Sequence, residues 1–331
     1  MKKLTIAIPN YNGGKNLERA IKSCQKIVMS SNDFEILVVD NCSTDDSIEI
    51  INTLKNKFSN IKLIQNSENV GRIQNWNVCM NNSEGKFLIF LFSNDLINAD
   101  NNIHECIKIL ENDDDISIGF SSLLKKDFDN SYVKKSFSKE IIKCQSECFT
   151  KECLTRGLLP FGPIQSIIYR IDDIRKNQNE FRTDMPINAD EIFTYAEASK
   201  RNQIMFNPNP QIIWDLTQGR FHGHMRIEDE FEEHTKTIKI ISELTEIEVD
   251  YGLVSTYRAI NLLKFSTGNL KSNGKKDATK HLLSKMKESK SFFNTDKILF
   301  KTFLNKIRNS SKDADDILYS EIISKCMKES K

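Results

Sequence analysis

Three short polar clusters lie near the start of the chain, and each directly follows a run of apolar residues. They are Asn10–Tyr11–Asn12, Asp40–Asn41 and Ser93–Asn94–Asp95. Carboxylate, amide and hydroxyl oxygens are the ligands that Mg²⁺ and Mn²⁺ prefer in proteins, and the same groups hydrogen-bond polar substrates. The clusters are therefore the first candidates for a binding site.

Two pairs of residues further along the chain could also do chemistry. Asp190 and Glu191 begin a stretch with helical spacing, where one carboxylate could act as a general base. They could equally be ordinary first-turn acids that the helix dipole favours. His222 and His224 would share one side of an extended segment, within reach of a metal ion or a phosphate. They could also be solvated histidines of a surface loop.

Residues 4–122 alternate between strand-like and helix-like patterns. Apolar runs predict strands at 4–8, 34–40, 61–66, 87–92 and 116–122. Apolar residues at helical spacing predict helices between them, and Ser43 with Asp46 has the spacing of a capping box that would open the second helix. This order predicts an α/β fold with a mainly parallel sheet and helices on both faces. Ligands of such sheets bind beyond the carboxyl ends of the strands, so we expect the three polar clusters to share one crevice.

The second half of the chain is less regular. Residues 123–147 are polar and hard to interpret, and after them we expect the following elements: a loop that enters a strand (157–170), a helix (187–200), and short strands near 204–206 and 212–214. From about residue 228 the pattern is helical. The apolar stripe from Ile298 to Ile307, with lysines between, is typical either of a packed helix or of a helix at a membrane surface.

Composition excludes several classes of protein. With 39% hydrophobic and 28% charged residues the chain can bury a core, and a net charge of +1 gives no overall attraction to nucleic acid. No run of about 18 apolar residues could span a membrane, and the short apolar segment that ends at Pro9 fits a first strand better than a signal peptide. The eight cysteines fit no common zinc spacing and are expected to be free thiols in a reducing cytoplasm. No phosphate-binding glycine motif of nucleotide kinases or dehydrogenases occurs.

Three segments together resemble family 2 glycosyltransferases of the GT-A fold. They are LTIAIPNYNGGKNLERAIKSC (4–24), EILVVDNCSTDDS (35–47) and NSENVGRIQNWNVCMNNSEGKFLIFLFSND (66–95). The likeness is specific over residues 3–120, weaker to about 226, and absent from the last hundred residues. It implies a GT-A catalytic domain over 1–226, followed by a helical C-terminal region over 227–331.

The resemblance also assigns roles to residues. It implies that Asp40 accepts a hydrogen bond from the uracil or thymine ring of a nucleotide sugar, with the remaining donor-binding positions at Pro9, Tyr11, Asn12, Asn69, Gly71, Arg72, Ser93 and Asn94. Arg72 would contact the diphosphate, whose developing charge a fixed cation offsets. For the acceptor, the resemblance implies a base in the pair Asp190 and Glu191, and the apolar spacing to Phe193 and Ala196 favours Asp190.

A divalent cation, Mn²⁺ or Mg²⁺, is the cofactor that the resemblance implies. Asp95 would be its main ligand, with His222 and His224 as further ligands. The sequence departs from the family here, because Phe92 and Asn94 stand where carboxylates are common. Three interpretations follow: a metal site of low charge, transfer without a metal ion, or an inactive homologue.

The sequence thus predicts an inverting glycosyltransferase that uses a nucleotide sugar, with UDP as the expected nucleotide. The resemblance implies a bacterial glycan, a lipid-linked or a protein-linked acceptor, and a role in polysaccharide or glycoconjugate synthesis. We expect a cytoplasmic protein that either stays soluble or contacts the inner face of the membrane, or pairs with a second copy, through its C-terminal helices. The alternatives are an inactive homologue that binds nucleotide, glycan or a partner protein, and a nucleotidyltransferase.

Overall fold

The computed structural model describes residues 2–126, 132–135, 138–161, 164–215, 217, 227–250, 254 and 321–327. Its strands are β1 (Lys2–Asn10), β2 (Phe34–Asp40), β3 (Ile61–Gln65), β4 (Gly85–Phe90), β5 (Leu96–Ile97), β6 (Ile116–Ser121), β7 (Leu123–Lys126), β8 (Tyr132–Lys135), β9 (Ile142–Gln145), β10 (Ile167–Arg170), β11 (Gln203–Asn207) and β12 (Ile212–Asp215). Its helices are α1 (Gly14–Cys24), α2 (Ser47–Lys55), α3 (Arg72–Asn81), α4 (Ile103–Asn112), α5 (Ser146–Thr155), α6 (Ile171–Asn177), α7 (Ala189–Ala198) and α8 (Ile227–Thr245).

A central sheet carries the fold. Its eight strands follow the order β3-β2-β1-β4-β10-β6-β11-β9. The first four run parallel, as do β6 and β11, whereas β10 and β9 are antiparallel to their neighbours. The predicted α/β fold with a mainly parallel sheet is therefore confirmed, and every residue of β2 is buried.

Helices cover both faces of this sheet and form two apolar layers. Leu17 of α1, Ile51 of α2 and Ile107 of α4 belong to the layer on one face. Trp76 of α3 and Phe193 of α7 belong to the layer on the other face. Burial on both sides explains why the inner strands are continuously apolar rather than alternating.

A second, smaller sheet lies in the part of the chain that the sequence left without a pattern. Its four strands follow the order β5-β12-β7-β8. Because β5 comes directly after the third polar cluster and pairs with β12, the end of β12 lies beside that cluster. The small sheet thereby brings Asp215 to the predicted crevice.

Two local predictions were wrong. Strand β4 ends at Phe90, two residues earlier than expected, so the turn that carries the third cluster begins inside the apolar run. Ser43 and Asp46 form no capping box, because helix α2 begins at Ser47 without a side-chain cap. The hydroxyl of Ser43 donates a hydrogen bond to the carboxylate of Asp40 instead, at 2.6 Å.

The C-terminal helical segment at 321–327 contacts the catalytic part of the chain. Cys326 forms a disulfide with Cys148 of α5, so the prediction that all eight cysteines are free was wrong for this pair. Ile322 and Ile323 are buried in the same apolar layer as α5. Within the described part of the chain, no helix has the length and apolar character that crossing a membrane requires.

Candidate active site

The first two polar clusters meet at the carboxyl ends of β1 and β2. The parallel register pairs Asn10 with Asp40, and the Asn10 amide donates a hydrogen bond to the Asp40 carboxylate at 2.7 Å. The third cluster is close to the first, because a Cβ atom built on Gly13 would lie 3.1 Å from the Cβ of Ser93. The predicted crevice therefore exists, and all three clusters line it.

Asp40 is held rigidly at the floor of this crevice. Only 2% of the residue is exposed. Besides the Asn10 amide, it accepts hydrogen bonds from the Ser43 backbone N–H at 2.9 Å and from the Ser43 hydroxyl at 2.6 Å. An ionised carboxylate offers about four acceptor positions, so one remains for a ligand. The predicted contact of Asp40 with a pyrimidine base stays a prediction that this geometry permits.

The loop between β1 and α1 presents the other predicted base contacts. Tyr11, two residues after Pro9, is 52% exposed and offers its ring to the crevice mouth. Asn12 has a left-handed backbone with φ of 53°. Its side-chain oxygen accepts the Thr44 N–H at 2.8 Å, which joins this loop to the one after β2. The roles of these three residues in donor binding stay predictions.

Asn41 organises the segment from Asn69 to Gly71, a role that the sequence alone did not assign to it. The Asn41 amide donates to the Asn69 side-chain oxygen at 2.7 Å, and the Asn41 side-chain oxygen accepts the Val70 N–H at 3.0 Å. The Asn69 oxygen also accepts the Gly71 N–H at 3.0 Å. Gly71 has φ of 86° and ψ of 161°, a region that residues with a side chain rarely adopt.

Arg72 begins helix α3 and reaches across to the loop before α7. Its guanidinium donates a hydrogen bond to the Pro186 carbonyl and lies 4.8 Å from the centre of the Trp76 ring. Burial lowers the Arg72 pKa, and the nearby carboxylates of Asp190 and Glu233 oppose that effect. Arg72 is thus a fixed cation next to the predicted base; its contact with a diphosphate stays a prediction.

Asp190 and Glu191 point in different directions, as neighbours on a helix do. Glu191 is only 5% exposed and accepts the Phe161 N–H at 3.1 Å, so it anchors the loop before β10. Burial raises the pKa of Asp190 to about 6, although the Glu191 N–H and the charge of Arg72 act in the opposite direction. A carboxylate with this pKa is mostly ionised at neutral pH and close to the optimum for accepting a proton. The geometry favours Asp190 over Glu191 as the base.

Asp95 is enclosed. It has no exposed surface; one carboxylate oxygen accepts the Gln165 amide at 2.8 Å, and the other accepts the Asp215 N–H at 3.1 Å. Burial raises its pKa to about 8. Asp95 as a metal ligand stays a prediction, and an ion could reach this carboxylate only if Gln165 or the end of β12 moved away.

Asp215 was missed by the sequence reasoning, although it also ends a predicted strand. Its carboxylate lies 3.4 Å from the guanidinium of Arg19 and 3.5 Å from the ammonium of Lys126. Burial alone would raise the Asp215 pKa, but hydrogen bonds from Thr217 and these two cations together lower it. Positive charge therefore accumulates beside the third polar cluster.

The described donor set does not fit a divalent cation in this conformation. Ser93 and Asn94 are partly exposed but uncharged, Asp95 is enclosed, and Asp215 is paired with cations. Among the described residues there is no group of three or more histidine, cysteine, aspartate or glutamate side chains that could hold a metal ion. His222 and His224 lie outside the described residues.

Comparison with curated proteins finds relatives among enzymes of bacterial surface polymers. The chain is 27% identical over 207 residues to the poly(ribitol-phosphate) beta-N-acetylglucosaminyltransferase TarS of Staphylococcus aureus, which covers 62% of this chain and 34% of TarS. It is 27% identical over 202 residues to a poly(ribitol-phosphate) beta-glucosyltransferase of Bacillus spizizenii, covering 60% of this chain and 30% of that protein. The chain thus spans about a third of the length of these relatives.

Solved structures confirm the fold and a family model identifies it. The crystal structure of S. aureus TarS 1-349 in complex with UDP-GlcNAc matches with a TM-score of 0.62 and 20% identity, over 82% of this chain and 74% of that one. A mannosyltransferase of Pyrobaculum calidifontis in complex with GDP-Man and Mn²⁺ matches with a TM-score of 0.52 and 14% identity, over 100% of this chain and 89% of that one. The expected GT-A fold is confirmed. The model of glycosyl transferase family 2 matches residues 5–200, more than half of the chain, and the chain belongs to this family.

Proposed function

We propose that this protein transfers a sugar from a UDP-sugar to a hydroxyl group of a bacterial glycan or of a lipid- or protein-linked acceptor, with inversion at the anomeric carbon. The observation that carries the proposal is Asp190, a partly buried carboxylate with a pKa of about 6. It begins a helix of the α/β domain and is accompanied by the guanidinium of Arg72. Further support comes from the family, from relatives that act on poly(ribitol-phosphate), and from the UDP-GlcNAc complex of TarS.

Donor binding is proposed to use the strand ends. The uracil ring would stack near Tyr11 and donate its N–H to the free acceptor position of Asp40. Asn41 holds the segment up to Gly71, after which α3 begins at Arg72 without a side-chain cap. Its first turn therefore has free backbone N–H groups, which suit the diphosphate.

In the transfer step, the acceptor oxygen forms a bond to the anomeric carbon as the bond to the diphosphate oxygen breaks. The electron pair of the broken bond leaves with the diphosphate, and Asp190 takes the proton of the acceptor hydroxyl. Attack from the face opposite the leaving group inverts the configuration. The protein prepares this step by keeping Asp190 ionised next to Arg72 and by excluding water with the layer around Trp76 and Phe193.

Charge on the departing diphosphate has to be offset. Arg72 at the start of α3 and the pair of Arg19 and Lys126 near Ser93 are the cations that we propose for this task. The family commonly uses a divalent cation, and the Pyrobaculum neighbour binds Mn²⁺. We derive no step through such an ion, because the described donors do not fit one. Mn²⁺ and Mg²⁺ dependence is therefore tested directly below.

Location and assembly are proposed more broadly. We propose that the protein works in the cytoplasm or at the inner face of the membrane, and that residues 227–331 form a separate helical region after the catalytic domain of 1–226. The basic stretch that would contact a membrane or a second copy lies mostly outside the described residues.

The central test compares the wild type with Asp190→Asn in a panel of UDP-, GDP- and dTDP-sugars, with poly(ribitol phosphate) as one acceptor. We expect UDP-sugars to be used, and the variant to lose about 10²- to 10⁴-fold in transfer rate while still binding UDP, since only proton transfer is removed. Asp184→Asn, an exposed aspartate on the same loop, is the matched control. Wild-type transfer by the Asp190 variant would refute the assignment, and a product with the donor's anomeric configuration would refute inversion.

A further inference from the structure

Helix α8 contacts the loop that precedes the proposed base. One carboxylate oxygen of Glu233 accepts the backbone N–H of Ile187 at 2.6 Å and that of Asn188 at 2.8 Å. These are the last two residues before α7, whose second residue is Asp190. Glu233 lies beyond the region that matches the family model, so the family assigns it no role.

The same loop is fixed from its other side by Arg72. Its guanidinium donates to the carbonyl of Pro186, the residue directly before the two N–H groups that Glu233 holds. Arg72 lies close enough to Asp190 and Glu233 for both carboxylates to act on its pKa. A cation from α3 and an anion from α8 thus grip three consecutive residues next to the base.

We propose that Glu233 is a positioning residue for Asp190: it fixes the backbone at Ile187 and Asn188 and balances Arg72, so that the base is held in place and correctly charged. This inference rests on the proposed function of Asp190. It makes α8, which comes after the family-matched region, part of the machinery for transfer. Hydrogen bonds to a charged acceptor are stronger than neutral ones, which suits a positioning role.

The charge of Glu233 gives the proposal a measurable sign. The charged and titratable groups that face Asp190 are Arg72 from α3, Glu233 from α8, Tyr169 from β10 and Glu191 on its own helix. Burial raises the pKa of Tyr169 far above neutrality, so Tyr169 stays uncharged. The negative charge of Glu233 raises the Asp190 pKa, and its removal should shift the acidic limb of the transfer rate to lower pH.

The experiment compares Glu233→Gln with Glu233→Ala, and uses Glu232→Gln, an exposed neighbour on the same helix, as the control. Glutamine keeps an acceptor oxygen for the two N–H groups but removes the charge. We expect it to shift the acidic limb down by several tenths of a pH unit and to keep most of kcat. Alanine removes both, and we expect kcat to fall about tenfold or more with UDP affinity within about twofold of wild type, which a loss of orientation around a base would produce. The control should match the wild type in both measurements.

Hydrogen exchange of the Ile187 and Asn188 amides is measured in the same variants. Exchange should accelerate in Glu233→Ala and stay close to the wild-type rate in Glu233→Gln. An unchanged exchange rate in the alanine variant, or an acidic limb that does not move in the glutamine variant, overturns the proposal. Equal losses of UDP affinity and kcat would show a merely structural role and overturn it too. If wild-type protein transferred no sugar at all, the proposed function would fail, and the exchange rates would still decide whether Glu233 holds this loop.

Discussion

Replacing Asp95 with asparagine distinguishes a buried neutral carboxyl group from a metal ligand. Asparagine has the shape of a protonated aspartate but cannot ionise. Its oxygen can still accept the Asp215 N–H. The Gln165 side-chain oxygen has no hydrogen-bond partner, so the Gln165 amide can turn and accept the new N–H₂ group. The substitution should therefore fit the site with little strain.

The expected magnitude follows from the raised pKa. Burial lifts the Asp95 pKa from 3.8 to about 8 in the folded protein. Between these values the folded state keeps a proton that the unfolded state has lost, so the contribution of this group to stability is full at low pH and falls as pH rises. The slope is about 1.4 kcal/mol per pH unit, which gives about 3 kcal/mol between pH 5 and pH 7.5. Asp95→Asn lacks this loss.

The assay is urea unfolding of wild type and Asp95→Asn across that pH range, with Asp100→Asn as an exposed control on the same segment. We expect the variant to gain about 3 kcal/mol in unfolding free energy relative to wild type between pH 5 and pH 7.5. Parallel stability curves would show that Asp95 is ionised throughout and would refute the reasoning. Adding Mn²⁺ or Mg²⁺ separates the two roles further, since a metal ligand at Asp95 requires the ion to raise Tm in wild type only.

Two further predictions concern the loops around the base and the donor. Arg72→Met should move the acidic limb of transfer to higher pH, opposite to Glu233→Gln, because the Arg72 charge lowers the Asp190 pKa; a pH–rate profile measures this, and a shift to lower pH would contradict it. Gly71→Ala should cost about 1–3 kcal/mol in unfolding free energy and weaken UDP binding, because its backbone has φ of 86° although its Cβ would meet no neighbour within 4 Å. Urea unfolding and calorimetry test this, and an alanine variant as stable as wild type would show that the segment relaxes freely.

The parts of the fold that the sequence predicted are those in which local pattern and burial agree. Residues 34–40 are continuously apolar up to a carboxylate, and β2 has those bounds because both of its faces are covered. The meeting of the polar clusters followed from a general rule about parallel strands rather than from any one residue. The family resemblance supplied the roles, which pattern alone could not supply.

The parts that the sequence did not predict depend on contacts between distant residues. Asp95 is enclosed by Gln165 and by Asp215, which lie 70 and 120 residues further along the chain. Strand β7 is short and ends in two lysines, so it lacks the apolar run that marks a strand. The capping box failed for the same reason, since Asp40 competes for the Ser43 hydroxyl and lies in another element.

Phe92 shows how the loss of charge in the third cluster is coupled to the base. Its ring lies 5.4 Å from that of Trp76, and Trp76 in turn lies under the guanidinium of Arg72 at 4.8 Å. A carboxylate at position 92 would compete for Arg72 and would repel a diphosphate unless a cation lay between them. An aromatic residue instead extends the apolar support of Arg72, and it leaves the guanidinium to Asp190, Glu233 and the donor. The departure from the family pattern at Phe92 therefore fits a site in which fixed side-chain cations carry more of the charge than a bound metal ion does.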